Sequence, residues 1–159
     1  MHRVIVIALS GLLLVGAALA TAADGWSRYR NARFGYAVDV PPGFSDVAEA
    51  DNSDGGISRS ADGDATLSIW GAYLVDRDFP SDIAGRVGSD KDDGWSISYD
   101  RRRADSASWS GSKGSRIAYT RAVKGCDDST AFFRLEYDRS NRKAYDPVVS
   151  RLVKSLRAC

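Results

Sequence analysis

The sequence is poor in the two residue types on which many catalytic and metal sites depend. Histidine and methionine occur once each among 159 residues, as His2 and Met1. Both precede a long apolar run that is typical of a cleaved export signal, so the mature chain is expected to contain neither residue. That expectation excludes Ser-His-Asp and Cys-His mechanisms, and it excludes zinc or copper sites built on imidazole or thioether ligands.

The apolar run itself predicts a signal peptide at residues 1–22. Arg3 precedes the stretch Val4–Leu19, and small residues follow it at Ala20 and Ala22. This pattern predicts cleavage between Ala22 and Ala23, with cleavage after Ala20 as the second choice. An uncleaved anchor is the alternative, since about 20 apolar residues span a bilayer.

Cleavage leaves one domain, residues 23–159, which is long enough to bury a core. Basic and acidic side chains are then equal in number, because the signal carries one basic residue and no acidic one. Zero net charge argues against nucleic acid or anionic membrane as an electrostatic partner. We expect a periplasmic or secreted protein with no stable membrane insertion after signal removal.

Apolar and polar residues alternate over much of this domain, which predicts antiparallel strands. The pattern is clearest at Tyr36–Val40, where a Pro-Pro-Gly sequence ends the strand because proline cannot donate to a ladder. A polar loop is expected at 41–55, and Arg121 interrupts an otherwise apolar strand face. The other predicted strands are 26–29, 57–60, 65–73, 95–99, 106–111, 115–124 and 130–137.

Helical spacing is clearest near the carboxyl terminus. One apolar stripe consists of Tyr145, Val148, Val149, Leu152, Val153 and Leu156. Asp146 and Pro147 are predicted to cap and open this helix, after a turn or short helix at 140–144. A shorter helix is predicted to begin near Phe79 with Ser81 as its cap. The fold class is therefore α+β, an antiparallel sheet flanked by two helices.

Motifs at both ends of the domain resemble small exported bacterial proteins of unknown function with a PsbP-like fold. These motifs are Tyr29–Phe44, Phe133–Tyr137, Tyr145–Val149 and Ser155-Leu156. The fold includes the extrinsic photosystem II subunit and a Ran-binding import factor, and it is an α/β/α sandwich. The resemblance implies a non-enzymatic protein that acts by binding or assembly. It is weaker from 46 to 112, and no ligand-binding residues carry over.

Two cysteines predict one structural disulfide, between Cys126 and Cys159, in an oxidising compartment. A strand of about 25 Å leads away from Cys126, at about 3.3 Å per residue. The terminal helix returns by roughly 16 Å, and the tail covers the remainder. The functional alternative is a redox-active thiol, but the sequence has no Cys-x-x-Cys pair.

Other polar clusters are candidates for ion or catalytic sites. Aspartate and glycine recur at 51–56, 62–64 and 90–93, but no loop completes a calcium pattern, and solvated turns also explain them. Arg101–Arg103 is a candidate anion site or an exposed strand end opposed by acids. The Ser-x-x-Lys sequence at 110–113 lacks a companion motif. Asp39, Glu49 and Glu136 are candidates for a hydrolytic carboxylate pair, although nothing in the sequence places two of them together.

We expect an exported, non-catalytic binding or assembly module with a cell-envelope protein as partner and no cofactor or metal. One alternative is a histidine-free, carboxylate-based envelope enzyme acting on glycans, which requires two converging acids in a cleft. Another is a carbohydrate-binding module, which requires exposed coplanar aromatic rings. Of the tryptophans, Trp70 is expected to be exposed and Trp95 to lie in the core, and the other two are Trp26 and Trp109.

The export prediction has a direct test in the intact mass of the protein recovered from cells. An amino terminus at Ala23 in the soluble envelope or medium fraction is expected. A terminus at Thr21 would indicate the second cleavage site. Recovery of the whole chain in the membrane fraction would contradict cleavage and support the anchor.

Overall fold

The middle layer of the protein is a seven-stranded antiparallel sheet, as seen in a computed structural model that describes residues 25–159. The predicted signal peptide at residues 1–22 and the cleavage between Ala22 and Ala23 lie outside the described residues. The strands are β1 (Ser27–Asn31), β2 (Tyr36–Val40), β3 (Ala48–Glu49), β4 (Gly55–Arg59), β5 (Thr66–Tyr73), β6 (Ser96–Arg102), β7 (Ser106–Lys113), β8 (Arg116–Lys124) and β9 (Ser129–Asp138). The sheet order is β3-β4-β5-β9-β8-β7-β6, and β1 and β2 form a separate hairpin.

Two helices cover opposite faces of the sheet. They are α1 (Phe79–Asp92) and α2 (Arg142–Ser155), and a 3-10 turn at Arg139–Asn141 precedes α2. Phe132 and Phe133 are neighbours on β9, so their side chains point to opposite faces. Phe132 is buried with Ile83 of α1, and Phe133 is buried with Leu152 of α2. The predicted α+β sandwich is confirmed.

The β1–β2 hairpin shares the α2 side of the sheet. Val38 of β2 lies in the same buried cluster as Leu67 of β5. Phe34, between the two hairpin strands, packs on Gly71, where a β-carbon would overlap its ring. The chain after α2 also joins the hairpin, since the backbones of Ala37 and Arg157 exchange two hydrogen bonds of 2.9 Å.

The helix α1 begins at Phe79 as predicted, but the structure corrects its cap and its length. Asp78, not Ser81, caps the helix, and its side chain accepts a 2.9 Å hydrogen bond from the Ser81 backbone N–H. The helix runs for 14 residues through both Gly85 and Gly88. Each glycine costs about 1 kcal/mol, but each buried apolar side chain contributes roughly 1.5–3 kcal/mol. Those side chains are Phe79, Ile83 and Val87.

The predicted start of α2 is wrong, because the helix begins at Arg142 and Pro147 lies inside it. The first turn forms ahead of the proline because Tyr145 stacks on Tyr137 at a centroid distance of 4.7 Å. The lost hydrogen bond would have reached the carbonyl of Lys143, an exposed residue that water can solvate. The predicted strands are present with bounds shifted by a few residues, and the 41–55 loop contains the short β3.

The pairing of the tail with β2 brings Cys159 to the turn that contains Cys126. The Cys126 backbone N–H donates a 2.8 Å hydrogen bond to Sγ of Cys159. Both are free and exposed in the structure, so the disulfide stays a prediction. The hydrogen bond with Cys159 raises the pKa of the Cys126 thiol. This direction disfavours the thiolate on which a redox role depends.

We expect alkylation of the denatured, non-reduced exported protein to find no free thiol. Cys126→Ser and Cys159→Ser should each release one thiol. Reduction should lower the free energy of unfolding by roughly 3–4 kcal/mol in the chain-entropy model. The doubly substituted protein is the control, because reduction should leave its stability unchanged. Two alkylated thiols in the unsubstituted protein would contradict the bridge.

Candidate functional site

A groove of 860 Å³ lies between α2 and the outer strands of the sheet, β6, β7 and β8. We call it the α2 groove. A helix is about 10 Å across and covers roughly two strands that are about 4.8 Å apart. Because α2 packs on β2, β8 and β9, the same face of β6 and β7 is left uncovered. The helix wall includes Asp146, Val149, Ser150, Val153 and Lys154.

Serine side chains keep the floor of the groove low. On β7, Ser108, Ser110 and Ser112 pair with β8 residues of the α2 face, whereas Ala107 and Trp109 are buried under α1. The sequence predicts a strand over 106–111. Only the position of α2 shows that its serine face borders a groove and not bulk solvent.

A β-bulge turns Tyr99 into the groove. Ile97 pairs with Gly111, but Tyr99 pairs with Ser110, so the register shifts by one residue between them. Ile97 therefore packs in the α1 cluster, while Tyr99 stacks on Tyr119 at 6.3 Å on the other face. The regular alternation predicted for 95–99 is wrong at this point, because a bulge re-aims the residues that follow it.

Three arginines close one end of the groove around a cavity of 260 Å³. This arginine pocket consists of Arg101, Arg103 and Arg121 together with Ser108, and it shares Tyr99, Tyr119 and Val153 with the α2 groove. Nη1 of Arg121 donates a 3.2 Å hydrogen bond to Oγ of Ser108.

The arginine pocket lacks both an acceptor for one buried donor and a carboxylate partner for its charges. Nε of Arg121 is buried without a hydrogen-bond partner, and within residues 25–159 no carboxylate lies in ion-pair distance of Arg101, Arg103 or Arg121. Burial lowers the pKa of the Arg121 guanidinium, and the Arg103 charge acts in the same direction. Guanidinium groups nevertheless stay protonated in proteins. The pocket therefore presents positive charge that forms no ion pair within the described residues.

The predicted Arg101–Arg103 cluster divides between the two faces of β6. Arg102 lies on the α1 face and donates to the carboxylate of Asp100 at 2.6 and 2.9 Å. Arg102 therefore agrees with the alternative interpretation, in which the arginines form an exposed strand end opposed by acids. Arg101 and Arg103 line the pocket on the α2 face instead, as the anion-site interpretation requires.

The candidate carboxylates lie apart from one another and from the groove. Asp39 forms ion pairs with Arg28 at 2.8 Å and Arg151 at 3.2 Å. Glu136 accepts a 2.6 Å bond from Arg134, and Glu49 accepts one of 2.8 Å from the hydroxyl of Tyr29. Each acid therefore has a cation or a hydroxyl beside it, and within residues 25–159 none of the three is paired with a second acid as in a glycosidase.

The four tryptophans of residues 25–159 form no common exposed platform, and two of them, Trp70 and Trp109, belong to the hydrophobic cluster under α1. Trp70 is only partly exposed, because it stacks on Phe132 at 4.9 Å. Trp109 is buried, and its Nε1 donates to Asp90 at 2.6 Å. The remaining two rings each lie beside a guanidinium: Trp95 with Arg134 at 4.7 Å and Trp26 with Arg151 at 4.4 Å.

In each aspartate-rich segment at least one carboxylate is hydrogen-bonded within the protein, namely Asp54, Asp62 and Asp90. Asp62 accepts hydrogen bonds from Ser60 and Asp64, and the bond from Ser60 lowers its pKa.

Across residues 25–159, no three histidine, cysteine or acidic side chains are arranged to hold a metal. In the same range no helix is long and apolar enough to cross a membrane. Lys113 of the Ser-x-x-Lys sequence donates to the carbonyl of Asp93 at 2.6 Å.

A second cavity, of 740 Å³, lies where the loop after β2 meets the start of α2. Its lining is mainly apolar and includes Trp26, Pro42, Phe44, Tyr145, Pro147 and Val148. Arg151 lies at this cavity too, but its guanidinium is engaged by Trp26 and Asp39. The α2 groove is the stronger candidate because the arginines of its pocket form no ion pair within residues 25–159.

Comparison with known proteins shows the fold. The chain is similar to cyanobacterial PsbP from Synechocystis, with a TM-score of 0.65 and 13% identity, over 91% of this chain and 99% of that one. It is also similar to the Ran-binding protein Mog1p of Saccharomyces cerevisiae, with a TM-score of 0.63 and 9% identity, over 84% and 95% of the two chains. No family model matches the sequence, and no curated protein is significantly similar to it. The PsbP-like fold predicted from the terminal motifs is confirmed.

The different electrostatic positions of two arginines predict different effects on stability. Arg121→Met should change the free energy of unfolding by no more than about 1 kcal/mol, because it removes one hydrogen bond and no ion pair. Arg134→Met should lower the free energy of unfolding by roughly 3 kcal/mol, since it leaves a largely buried carboxylate without its ion-pair partner. That carboxylate belongs to Asp90, whose side chain is 14% exposed. Urea denaturation measures both values, and equal losses would contradict the distinction.

Proposed function

We propose that this chain is an exported, non-catalytic binding module whose α2 groove holds a segment of a cell-envelope protein. The observation that carries the proposal is an open groove with positive charge at both ends in a chain whose net charge is only +1. Its volume is in the range of about 300–1,000 Å³ that is usual for ligand sites.

The charges of the groove support a protein partner of complementary sign. The end opposite the arginine pocket is lined by Arg139 and Arg142, and Lys154 follows Val153 at the pocket end. The acid among the lining residues of the two cavities is Asp146, which lies 3.9 Å from Arg142. A concentrated field of one sign raises the association rate of an oppositely charged partner and helps to select it.

The fold and the sequence supply the rest of the proposal. A protein named for binding Ran shares this fold, so the fold is compatible with protein binding. The predicted signal peptide directs the chain out of the cytoplasm, where the partner must then be found. An edge strand, β6, borders the groove and offers unpaired backbone groups to an incoming segment.

Site-specific photocrosslinking in living cells tests this function. A photoreactive amino acid at Ser150, on the exposed groove wall, should form a discrete adduct with one envelope protein. Ser89 is the matched control, because it is an exposed serine on α1, which covers the other face. The adduct should be absent there. No adduct at Ser150, or the same adducts at both positions, would contradict the proposal.

A further inference from the structure

The arginine pocket allows the chemistry of the partner to be named, and this inference rests on the proposed function. We propose that the bound segment is extended and acidic, that it pairs with the free edge of β6, and that it places a carboxylate in the arginine pocket. The occupant is therefore a carboxylate side chain of a protein.

The hydrogen-bonding state of Arg121 is the first step of the argument. A buried donor without an acceptor lacks the compensation that nearly all buried polar groups have. Its Nε is such a donor, and its Nη1 is already bonded to Ser108. A carboxylate fits this deficit because arginine donates to carboxylates through two parallel N–H bonds. Arg101 and Arg103 add positive charge from the strand beside it.

The acids near the pocket do not fill this role. Asp105 lies close enough to Arg121 to influence its titration, but it makes no ion pair with it. Asp100 lies on the other face of β6, paired with Arg102. No acid of the described residues thus forms an ion pair in the pocket, and a carboxylate from another molecule can do so.

The edge of the sheet explains why the occupant is an extended segment. β6 pairs with β7 on one side and with no strand on the other. A segment added there would have alternate side chains on the groove face, about 5 Å from those of β6 directly opposite. Arg101 shares that face with Tyr99, since both pair with groove-facing serines of β7. An acidic side chain opposite Arg101 would therefore reach the pocket.

Lys154 and Arg142 extend the requirement for acidic residues along the groove. Both lie on the α2 wall, Lys154 next to Val153 at the pocket end and Arg142 near the opposite end of the groove. Residues two apart in an extended segment point to the same side. We therefore expect acidic residues at alternating positions of the partner segment, as opposed to one isolated acid.

Titration of the mature chain, residues 23–159, with a blocked peptide tests the inference. The probe is an acetylated and amidated hexapeptide in which glutamate alternates with valine, and its counterpart has glutamine for glutamate. Calorimetry should show binding of the glutamate peptide at least about tenfold tighter. Arg121→Gln and Arg101→Gln should each weaken it by about tenfold or more. Equal binding of the two peptides would overturn the inference.

Arg102→Gln is the matched control, because Arg102 is on the same strand but on the other face. It should bind the glutamate peptide as the unsubstituted chain does, and thermal unfolding checks that each variant is folded. An equal loss of affinity with Arg102→Gln would show that the effect comes from net charge alone, and it would overturn the inference.

Titrations with inorganic phosphate and with acetate complete the experiment. Phosphate binding with no peptide binding would assign the pocket to a free oxyanion and likewise overturn it.

The two proposals fail in distinguishable ways. If the glutamate peptide does not bind but the Ser150 adduct forms in cells, the proposed function stands and the acidic segment is wrong. If the adduct forms and Arg121→Gln abolishes it while Arg102→Gln does not, both are supported. If no adduct forms, the proposed function fails whatever the peptide does.

Discussion

The width of the sheet is the constraint on which the rest of the structure depends. Seven strands about 4.8 Å apart place the outer two roughly 29 Å from each other, whereas one helix is about 10 Å across. Neither helix can therefore cover a whole face. The chain places α1 under β7, β8 and β9 on one face, and α2 with the β1–β2 hairpin over β5, β8 and β9 on the other. The α2 groove is the part of its face that remains, and small serines keep it open.

The arginines on the two faces of the sheet differ in their partners. An arginine that is fully ion-paired has a structural role, whereas one without an ion pair is a candidate binding residue. Arg134 donates to Asp90 at 2.9 Å and to Glu136 at 2.6 Å. Asp90 in turn accepts from Trp109, so the charge is part of a closed network that holds α1 on the sheet. Arg121 has a comparable position on a neighbouring strand, but it has one hydroxyl as a partner. A fold rarely leaves a half-buried cation in this state without a functional reason.

Sequence periodicity is enough to predict the layers of the fold, but it is not enough to predict the candidate site. Strand alternation and the apolar stripe of α2 depend on local spacing, which one sequence contains. The length of α1 was missed because the burial of Ile83 and its neighbours outweighs two glycines, and burial is a tertiary effect. The direction of Tyr99 depends on a bulge that shifts the register by one residue. The sequence shows Arg121 as a break in an apolar face, but only the structure shows that its buried Nε has no hydrogen-bond partner.

The rigidity of the helix wall then determines how the groove can select a ligand. The start of α2 is fixed by the Tyr137–Tyr145 stack at 4.7 Å, and its end by the pairing of Ala37 with Arg157. Ser155 adds a 3.0 Å hydrogen bond from the Asp39 backbone N–H. A wall held at both ends does not have to be ordered when a ligand binds, which removes part of the entropic cost of association. The affinity of the groove then depends on how well the incoming charges match arginines whose positions are already set.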